Sequence, residues 1–279
     1  LGLPLAIFRK LKVAAIDRPF VESFNRKKED LRREISGQLN QFKESSARGI
    51  STLIFPEGTT WGYGGLKKIR SSVYHVLENT FQGTGRKVFI LPINIKVDRL
   101  VKGAKDVFIR IGQPVFFRKP KDEFNQALFE ILQQLHTITF SQVAAYYLKR
   151  LAEMKRDAGR TVVFRKELFM RNLEGILLEM SRLVRERALP GFDPGLTNRR
   201  YLADKVEHFT KYCLKMQYLQ KKRLSDRKEA LLLNVEKILA NYSAREFRKA
   251  NPLGFCANEL ASLGEQIVRP IFDARLRFR

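Results

Sequence analysis

The chain has 279 residues and a formal net charge of +24 at pH 7, from 53 Lys and Arg against 29 Asp and Glu. A chain of this length can bury a sizeable core and hold two domains. Such a high positive charge attracts polyanions, which means nucleic acid or anionic lipid. Only Cys213 and Cys256 carry thiols, which does not indicate a disulfide framework. They are predicted to be buried free thiols in a reducing compartment, and no metal-ligand spacing surrounds them.

The first 120 residues alternate between helical and extended patterns. Apolar residues recur at helical spacing over residues 22–48, and Gly49 is placed to cap that helix. A second helix is predicted over Lys67–Thr80, and strands are predicted over Ile50–Phe55, Val88–Ile95 and Val107–Phe117. Strands that alternate with helices indicate an α/β fold with a mostly parallel sheet.

After residue 120 helical periodicity dominates, apart from a brief strand at Thr161–Phe164. Helices are predicted over Phe124–Lys155, Glu167–Arg187, Arg199–Arg223, Arg227–Lys249 and Cys256–Arg277. Glycine and proline interrupt them at residues 190–195 and 252–254. We therefore predict two domains, an α/β domain over residues 1–120 and a mainly α-helical domain over residues 121–279.

No segment of the sequence indicates a membrane-spanning helix. The longest stretch without a charged residue is Ile131–Leu148, and it contains Gln133, Gln134 and His136 among other polar residues. That content is too polar for the hydrocarbon interior of a bilayer.

The stretch Phe-Pro-Glu-Gly-Thr-Thr at residues 55–60 carries the strongest functional signal. Pro56 cannot donate to a sheet ladder, so the preceding strand should end there. Gly58 permits a tight turn and the close approach of a ligand to the backbone. Glu57 would then lie at the carboxyl end of a strand, where it can accept hydrogen bonds from a polyol. The alternative is an ordinary loop with a solvated glutamate.

Residues 55–60 resemble the third sequence block of the glycerolipid acyltransferases, the family of lysophosphatidate and glycerol-3-phosphate acyltransferases. Three further segments are similar to family blocks in the same order. They are Ala15-Ile-Asp-Arg18 (second block), Val88-Phe-Ile-Leu-Pro-Ile-Asn-Ile95 (fourth block) and Ile109-Arg-Ile-Gly-Gln-Pro114 (a late strand with its Gly-x-Pro exit). The resemblance covers residues 1–117.

The resemblance implies transfer of a fatty acyl group to a hydroxyl of glycerol-3-phosphate or a lysophospholipid, in phospholipid biosynthesis. The donor would be acyl-CoA or acyl carrier protein, and no metal or redox cofactor is implied. Arg18 would bind the acceptor phosphate, since its planar guanidinium makes paired charge-assisted bonds. Glu57 would hold the acceptor, while Gly58, Thr59 and Thr60 can offer an N–H and two hydroxyls to the same anion. Alternatively, Arg18 forms a structural ion pair with Asp17 or Glu57.

The chain departs from the family in its catalytic signature, which is a His followed five residues later by an Asp. The histidines stand at 75, 136 and 208, and the fifth residue after each is Thr80, Ser141 or Cys213. No catalytic residue can therefore be assigned. We expect the catalytic segment to be missing from these residues or absent from the protein.

The basic clusters predict a peripheral position on the cytoplasmic face of a membrane. Leu1–Val13 interleaves cations with apolar residues, and further cations cluster at residues 26–28, 32–33 and 221–223. These clusters are either solvated helix faces or contacts to anionic headgroups. No nucleic-acid-recognition motif is present, so nucleic acid is not the predicted partner. Two alternatives remain open, a non-catalytic lipid-binding relative and a basic nucleic-acid-binding protein.

Overall fold

A computed structural model of the protein describes residues 36–37, 40–41, 44–57, 63–116, 118–156, 162–223, 229–240 and 251–276. The α-helices with both ends among the described residues are α1 (Ser72–Thr84), α2 (Lys121–Gln134), α3 (Phe140–Arg156), α4 (Lys166–Arg185), α5 (Arg199–Lys215), α6 (Val235–Leu239), α7 (Pro252–Ala261) and α8 (Glu265–Arg275). The strands are β1 (Ile93–Val97), β2 (Val107–Ile111), β3 (Val163–Phe164), β4 (Leu219–Arg223) and β5 (Glu229–Leu233). A 3₁₀ helix covers Pro194–Thr197.

The chain divides into two compact units. The first takes in the described residues of Leu1–Thr59, Lys68–Leu91 and Pro114–Phe129. The second takes in those of Thr60–Lys67, Pro92–Gln113 and Glu130–Arg279. The β1–β2 hairpin thus clusters with the C-terminal residues, while the predicted boundary after residue 120 stays a prediction.

The predicted α/β fold with a mostly parallel sheet is wrong for the described residues. They are mainly helical, with two small antiparallel sheets, β1–β2 and β3–β5–β4. The physical reason lies in the connections. Residues 98–106 join β1 to β2, and parallel strands need a crossover of roughly a dozen residues or more. A connection this short returns the chain antiparallel.

The three-stranded sheet lies in a region that the sequence predicted to be helical. Helix α5 ends at Lys215, and Gln217 takes a positive φ of 59°. The chain then reverses into β4, which pairs with β5 from Leu219↔Leu233 to Arg223↔Glu229. The predicted helices over 199–223 and 227–249 are therefore wrong beyond residue 215 and over 229–233. The brief strand at 163–164 is confirmed as β3.

The first unit confirms the predicted glycine cap. Gly49 adopts a left-handed φ of 76°. The Gly49 N–H donates to the Ser46 carbonyl at 3.0 Å, and the Ile50 N–H donates to that of Ser45 at 2.9 Å. This is a Schellman motif, which satisfies carbonyls at the helix end. The predicted strand over Ile50–Phe55 belongs to no ladder among the described residues.

The second unit is built around α3, which is almost wholly buried and packs against α7. Its Phe140 ring stacks edge-on against Phe209 of α5 at 5.7 Å, and Phe209 in turn meets Phe169 of α4 at 6.2 Å. Aromatic pairs of this kind favour tilted geometry over flat stacking. Cys213 and Cys256 are both buried and free, as predicted.

Asparagine caps fix where several helices of the second unit begin. The Asn198 side chain accepts from the Arg200 and Tyr201 N–H groups at the start of α5. The Asn251 side chain accepts from Leu253 and Gly254 N–H, so Pro252 starts α7 and does not break a helix, because its missing N–H is not needed there. Across the described residues, no helix combines the length and the apolar character needed to cross a bilayer.

Candidate functional site

Of the predicted acceptor-binding residues, the structure describes Glu57 alone. It stands in a turn with Pro56, partly buried, where the extended residues 51–55 end. The Pro56 carbonyl accepts a hydrogen bond from the Arg70 N–H at 2.8 Å. The extended run therefore ends at Pro56, as predicted, although it forms no ladder among the described residues. Arg18, Gly58, Thr59 and Thr60 lie outside the described residues, so their convergence on one pocket stays a prediction.

The prediction that Glu57 lies at the carboxyl end of a sheet strand is wrong for the described residues. The run before it forms no ladder among the described residues, and Leu53 and Phe55 are exposed. The position of Glu57 therefore depends on a local turn and not on a sheet edge. The proposal that Glu57 binds the acceptor therefore depends on the sequence motif at residues 55–60 alone.

A partly buried polar cluster lies in the second unit, and it was not predicted from the sequence. We call it the Lys205 cluster, and its members are Asp98, Asp106, Asp193, Tyr201 and Lys205. The Lys205 ammonium donates to Asp98 Oδ2 at 2.8 Å and also binds Asp106. Burial lowers the pKa of Lys205, but its hydrogen bonds to Asp106 and Asp98 outweigh burial and raise that pKa above its usual value.

The two aspartates flank the loop that joins β1 to β2. Asp98 follows β1 and is fully buried, Asp106 precedes β2, and the Asp98 N–H donates to the Asp106 carbonyl at 2.9 Å. Asp98 also accepts hydrogen bonds from the N–H and the hydroxyl of Ser141, at the start of α3. The cluster therefore fastens the hairpin loop to α3 and α5. In the sequence, the feature that could have indicated this cluster is the pair Asp98 and Asp106, one at each end of a short loop.

Tyr201 adds a constraint on protonation within the cluster. Its hydroxyl oxygen lies 2.8 Å from both Asp106 Oδ2 and Asp193 Oδ2. A phenol carries one hydrogen and can donate to only one of them. Hydrogen bonding to Lys205 lowers the pKa of Asp106, whereas burial raises the pKa of Asp193. The two carboxylates therefore compete for the one Tyr201 hydrogen, and both contacts are hydrogen bonds at once when the Asp193 carboxyl carries a proton.

This reading predicts that Asp193→Asn stabilises the protein at neutral pH, by about 0.5–1.5 kcal/mol. The amide nitrogen would donate to Tyr201, and the amide oxygen would keep the 2.8 Å hydrogen bond from the Gly195 N–H. Because the folded pKa of Asp193 is raised, its contribution is complete in acid and is lost as the pH rises through that pKa. Urea unfolding in acid and at neutral pH tests this. A variant that is less stable than wild type at neutral pH would show that Tyr201 donates its hydrogen bond to the Asp193 carboxylate.

A shallow open groove adjoins the cluster, lined by Gly195, Asn198, Arg200, Tyr201 and Asp204. Arg200 and Asp204 give it charges of both signs. The ionisable groups beneath it are engaged with one another, because Lys205 stays charged between two carboxylates. The geometry therefore serves to hold the fold together and supplies no free base or nucleophile from Lys205.

Two histidines, His136 and His208, lie in different environments. His136 is partly buried, and its Nε2 lies 3.0 Å from Gln142 Nε2 and 3.3 Å from Gln142 Oε1, so the direction of this hydrogen bond depends on the ring tautomer. Burial, followed by the charge of Lys96, lowers the pKa of His136 to about 3. His208 Nε2 lies 3.5 Å from Asp204 Oδ1, one helical turn earlier on α5. This order, acid before histidine, is the reverse of the family signature.

Comparison with known proteins adds no assignment. The chain matches no protein-family model, no curated protein and no solved structure. The family resemblance therefore rests on the sequence segments quoted above.

Proposed function

We propose that the protein is a glycerolipid acyltransferase that acts at the cytoplasmic face of a membrane without spanning it. It would move a fatty acyl group from acyl-CoA or acyl carrier protein to a hydroxyl of glycerol-3-phosphate or a lysophospholipid. The observation that carries this proposal is the Phe-Pro-Glu-Gly-Thr-Thr segment at residues 55–60, with Glu57 partly buried in a turn. The ordered segments at 15–18, 88–95 and 109–114 support it.

The proposal assigns acceptor binding to residues of the segments at 15–18 and 55–60. Arg18 would bind the acceptor phosphate through a bidentate charge-assisted contact. Glu57 would accept a hydrogen bond from an acceptor hydroxyl, which fixes the hydroxyl's orientation. Gly58, Thr59 and Thr60 would donate to the same phosphate. No described histidine is assigned as the base, since His75, His136 and His208 all lack an Asp five residues on.

We expect Arg18→Ala to weaken acceptor binding by roughly 1.5–3 kcal/mol, because a charge-assisted hydrogen bond is lost. Arg18→Lys should restore only part of this, since an ammonium cannot make the paired planar contact. Glu57→Gln should weaken the glycerol hydroxyl contact and leave donor use unchanged. The measurement is calorimetric binding of glycerol-3-phosphate and of glycerol, together with thiol release from acyl-CoA in the presence of acceptor.

Matched substitutions in the same unit provide the controls. Arg48→Ala and Glu44→Gln change an exposed, mutually paired Arg and Glu and should leave acceptor binding unaltered. If glycerol binds as tightly as glycerol-3-phosphate, or if Arg18→Ala and Arg48→Ala behave alike, the phosphate assignment is wrong. Phosphate-dependent binding without thiol release would favour the non-catalytic lipid-binding relative.

A further inference from the structure

The β1–β2 hairpin exposes its apolar side chains. Because side chains alternate along a strand, the odd-numbered positions share one face, which we call the apolar hairpin face. Its members are 39–62% exposed: Ile93, Ile95, Val107, Ile109 and Ile111. The register places Ile93 opposite Ile111 and Ile95 opposite Ile109. An antiparallel hairpin normally turns its apolar face to the core, so this orientation calls for a physical cause.

The opposite face of the hairpin supplies that cause, since its charged side chains are held by the body of the second unit. Lys96 forms an ion pair with Glu259 of α7, and both side chains are largely buried. Arg110 donates to the carbonyls of Gln134 and His136 at 3.3 and 3.2 Å. A slip of one residue would bury the isoleucines and free these cations. The contacts therefore fix the hairpin with its apolar face outward.

The loop at the end of the hairpin is cationic. Arg99, Lys102 and Lys105 are all exposed. The two acidic residues of the hairpin, Asp98 and Asp106, both pair with Lys205 in the cluster described above, and the three cations of the loop outnumber them. The hairpin thus combines an apolar face with a loop whose net exposed charge is positive.

We propose that the apolar hairpin face docks on an anionic lipid bilayer. Its branched side chains would enter the boundary between headgroups and acyl chains, and Lys102 and Lys105 would contact lipid phosphates. Amphipathic surfaces of this composition bind in the interface plane by apolar burial together with attraction to anionic lipid. A second copy of the chain is a weaker occupant, because two chains of net charge +24 repel each other.

This inference rests on the proposed work at a membrane surface and is independent of the acyl-transfer chemistry. It assigns membrane binding to one defined surface, the apolar hairpin face, and not only to the net positive charge of the chain. It also predicts two separable contributions. The lysines should give a part of the binding that salt screens, and the isoleucines should give a part that salt leaves in place.

The test is co-sedimentation of the full chain with vesicles, either of phosphatidylcholine alone or of an equal mixture with phosphatidylglycerol. Ile95→Thr combined with Ile109→Thr keeps β-branched side chains in the strands and should reduce binding to the mixed vesicles at least about tenfold. The salt-resistant part of the binding should disappear. Leu178→Gln is the matched control, since Leu178 is 69% exposed on α4, and it should bind like wild type.

Lys102→Gln combined with Lys105→Gln should reduce binding to mixed vesicles about tenfold at low salt and remove most of its salt dependence. Lys119→Gln with Lys121→Gln makes the same change of charge at exposed positions near the start of α2. This control should lower binding only slightly, through net charge alone.

The outcomes separate this proposal from its rivals and from the acyltransferase assignment. Wild-type vesicle binding by the isoleucine variant would overturn the proposal. A shift from dimer to monomer in that variant, without a change in vesicle binding, would instead identify an interface between copies. Glycerol-3-phosphate is water-soluble, so its binding should be unchanged in every hairpin variant. Failure of that binding in the wild type would contradict the acceptor assignment and leave the vesicle result to stand by itself.

Discussion

Lys205→Met is expected to destabilise the protein by about 3–5 kcal/mol, because it leaves the buried Asp98 carboxylate without its counter-ion. Asp98 is fully buried and would lose the 2.8 Å contact to the ammonium, and Asp106 would lose its contact as well. Breaking a buried ion pair costs more than the pair itself contributes, since the remaining charge stays desolvated. Urea unfolding at neutral pH measures the change.

Lys211→Met is the matched control on the same helix. Lys211 is exposed and pairs with Glu207 at 3.2 Å on the surface, and such pairs contribute little. We expect a change below about 0.5 kcal/mol. Adding Asp98→Asn to Lys205→Met should recover part of the stability, because the amide carries no charge. A loss below about 1 kcal/mol in Lys205→Met would show that the cluster is solvated in solution.

Local chemistry made some of the fold predictable from the sequence. Gly49 predicted a helix end because only a residue without Cβ adopts a left-handed conformation at no cost. Helix α4 matches the predicted helix over 167–187 to within two residues, because its apolar stripe is uninterrupted. The end of the extended run at Pro56 was predicted from the missing N–H of proline. Each of these predictions depends on residues close together in the chain.

Long-range pairing accounts for the failures. The apolar residues of Val88–Ile95 predicted a strand in a mostly parallel sheet. Its orientation is decided by Lys96, whose partner Glu259 lies 163 positions away. The Lys205 cluster joins residues from the hairpin, the 3₁₀ helix and α5 in the same way. The strands β4 and β5 were missed because charged and apolar residues in Leu219–Arg223 fit a helix as well as an edge strand.

The candidate site shows the same difference between features predicted from local sequence and features that depend on long-range pairing. Residues 55–60 form a short motif, so Glu57 and its turn could be recognised without knowledge of the fold. The inference about a sheet edge required strand pairing, and that pairing is antiparallel and lies elsewhere in the described residues. The outward face of the hairpin could not be predicted at all, because the strand pattern alone favours burial.

Acid is expected to destabilise the protein through His136. The folded pKa is lowered to about 3, below the ordinary 6.5, because burial and the charge of Lys96 disfavour the imidazolium. The unfolded chain therefore binds this proton first as the pH falls. The contribution of the neutral ring is complete above pH 6.5, is lost between 6.5 and about 3, and changes no further below that. One proton gives a slope of about 1.4 kcal/mol per pH unit and a ceiling near 5 kcal/mol.

His136→Gln isolates this effect, since an amide oxygen can accept the hydrogen bond from Gln142 without titrating. Wild type and variant carry the same titrating carboxyl groups. The difference between their unfolding free energies therefore reports the protonation of His136. We expect the variant to lose less stability than wild type as the pH falls from 6.5 towards about 3. Urea unfolding across that range gives the difference, and the NMR shift of the His136 ring gives the titration directly. Parallel pH profiles, or a ring that titrates near its ordinary pKa, would show that water reaches His136. In that case the contact between His136 and Gln142 would open in solution.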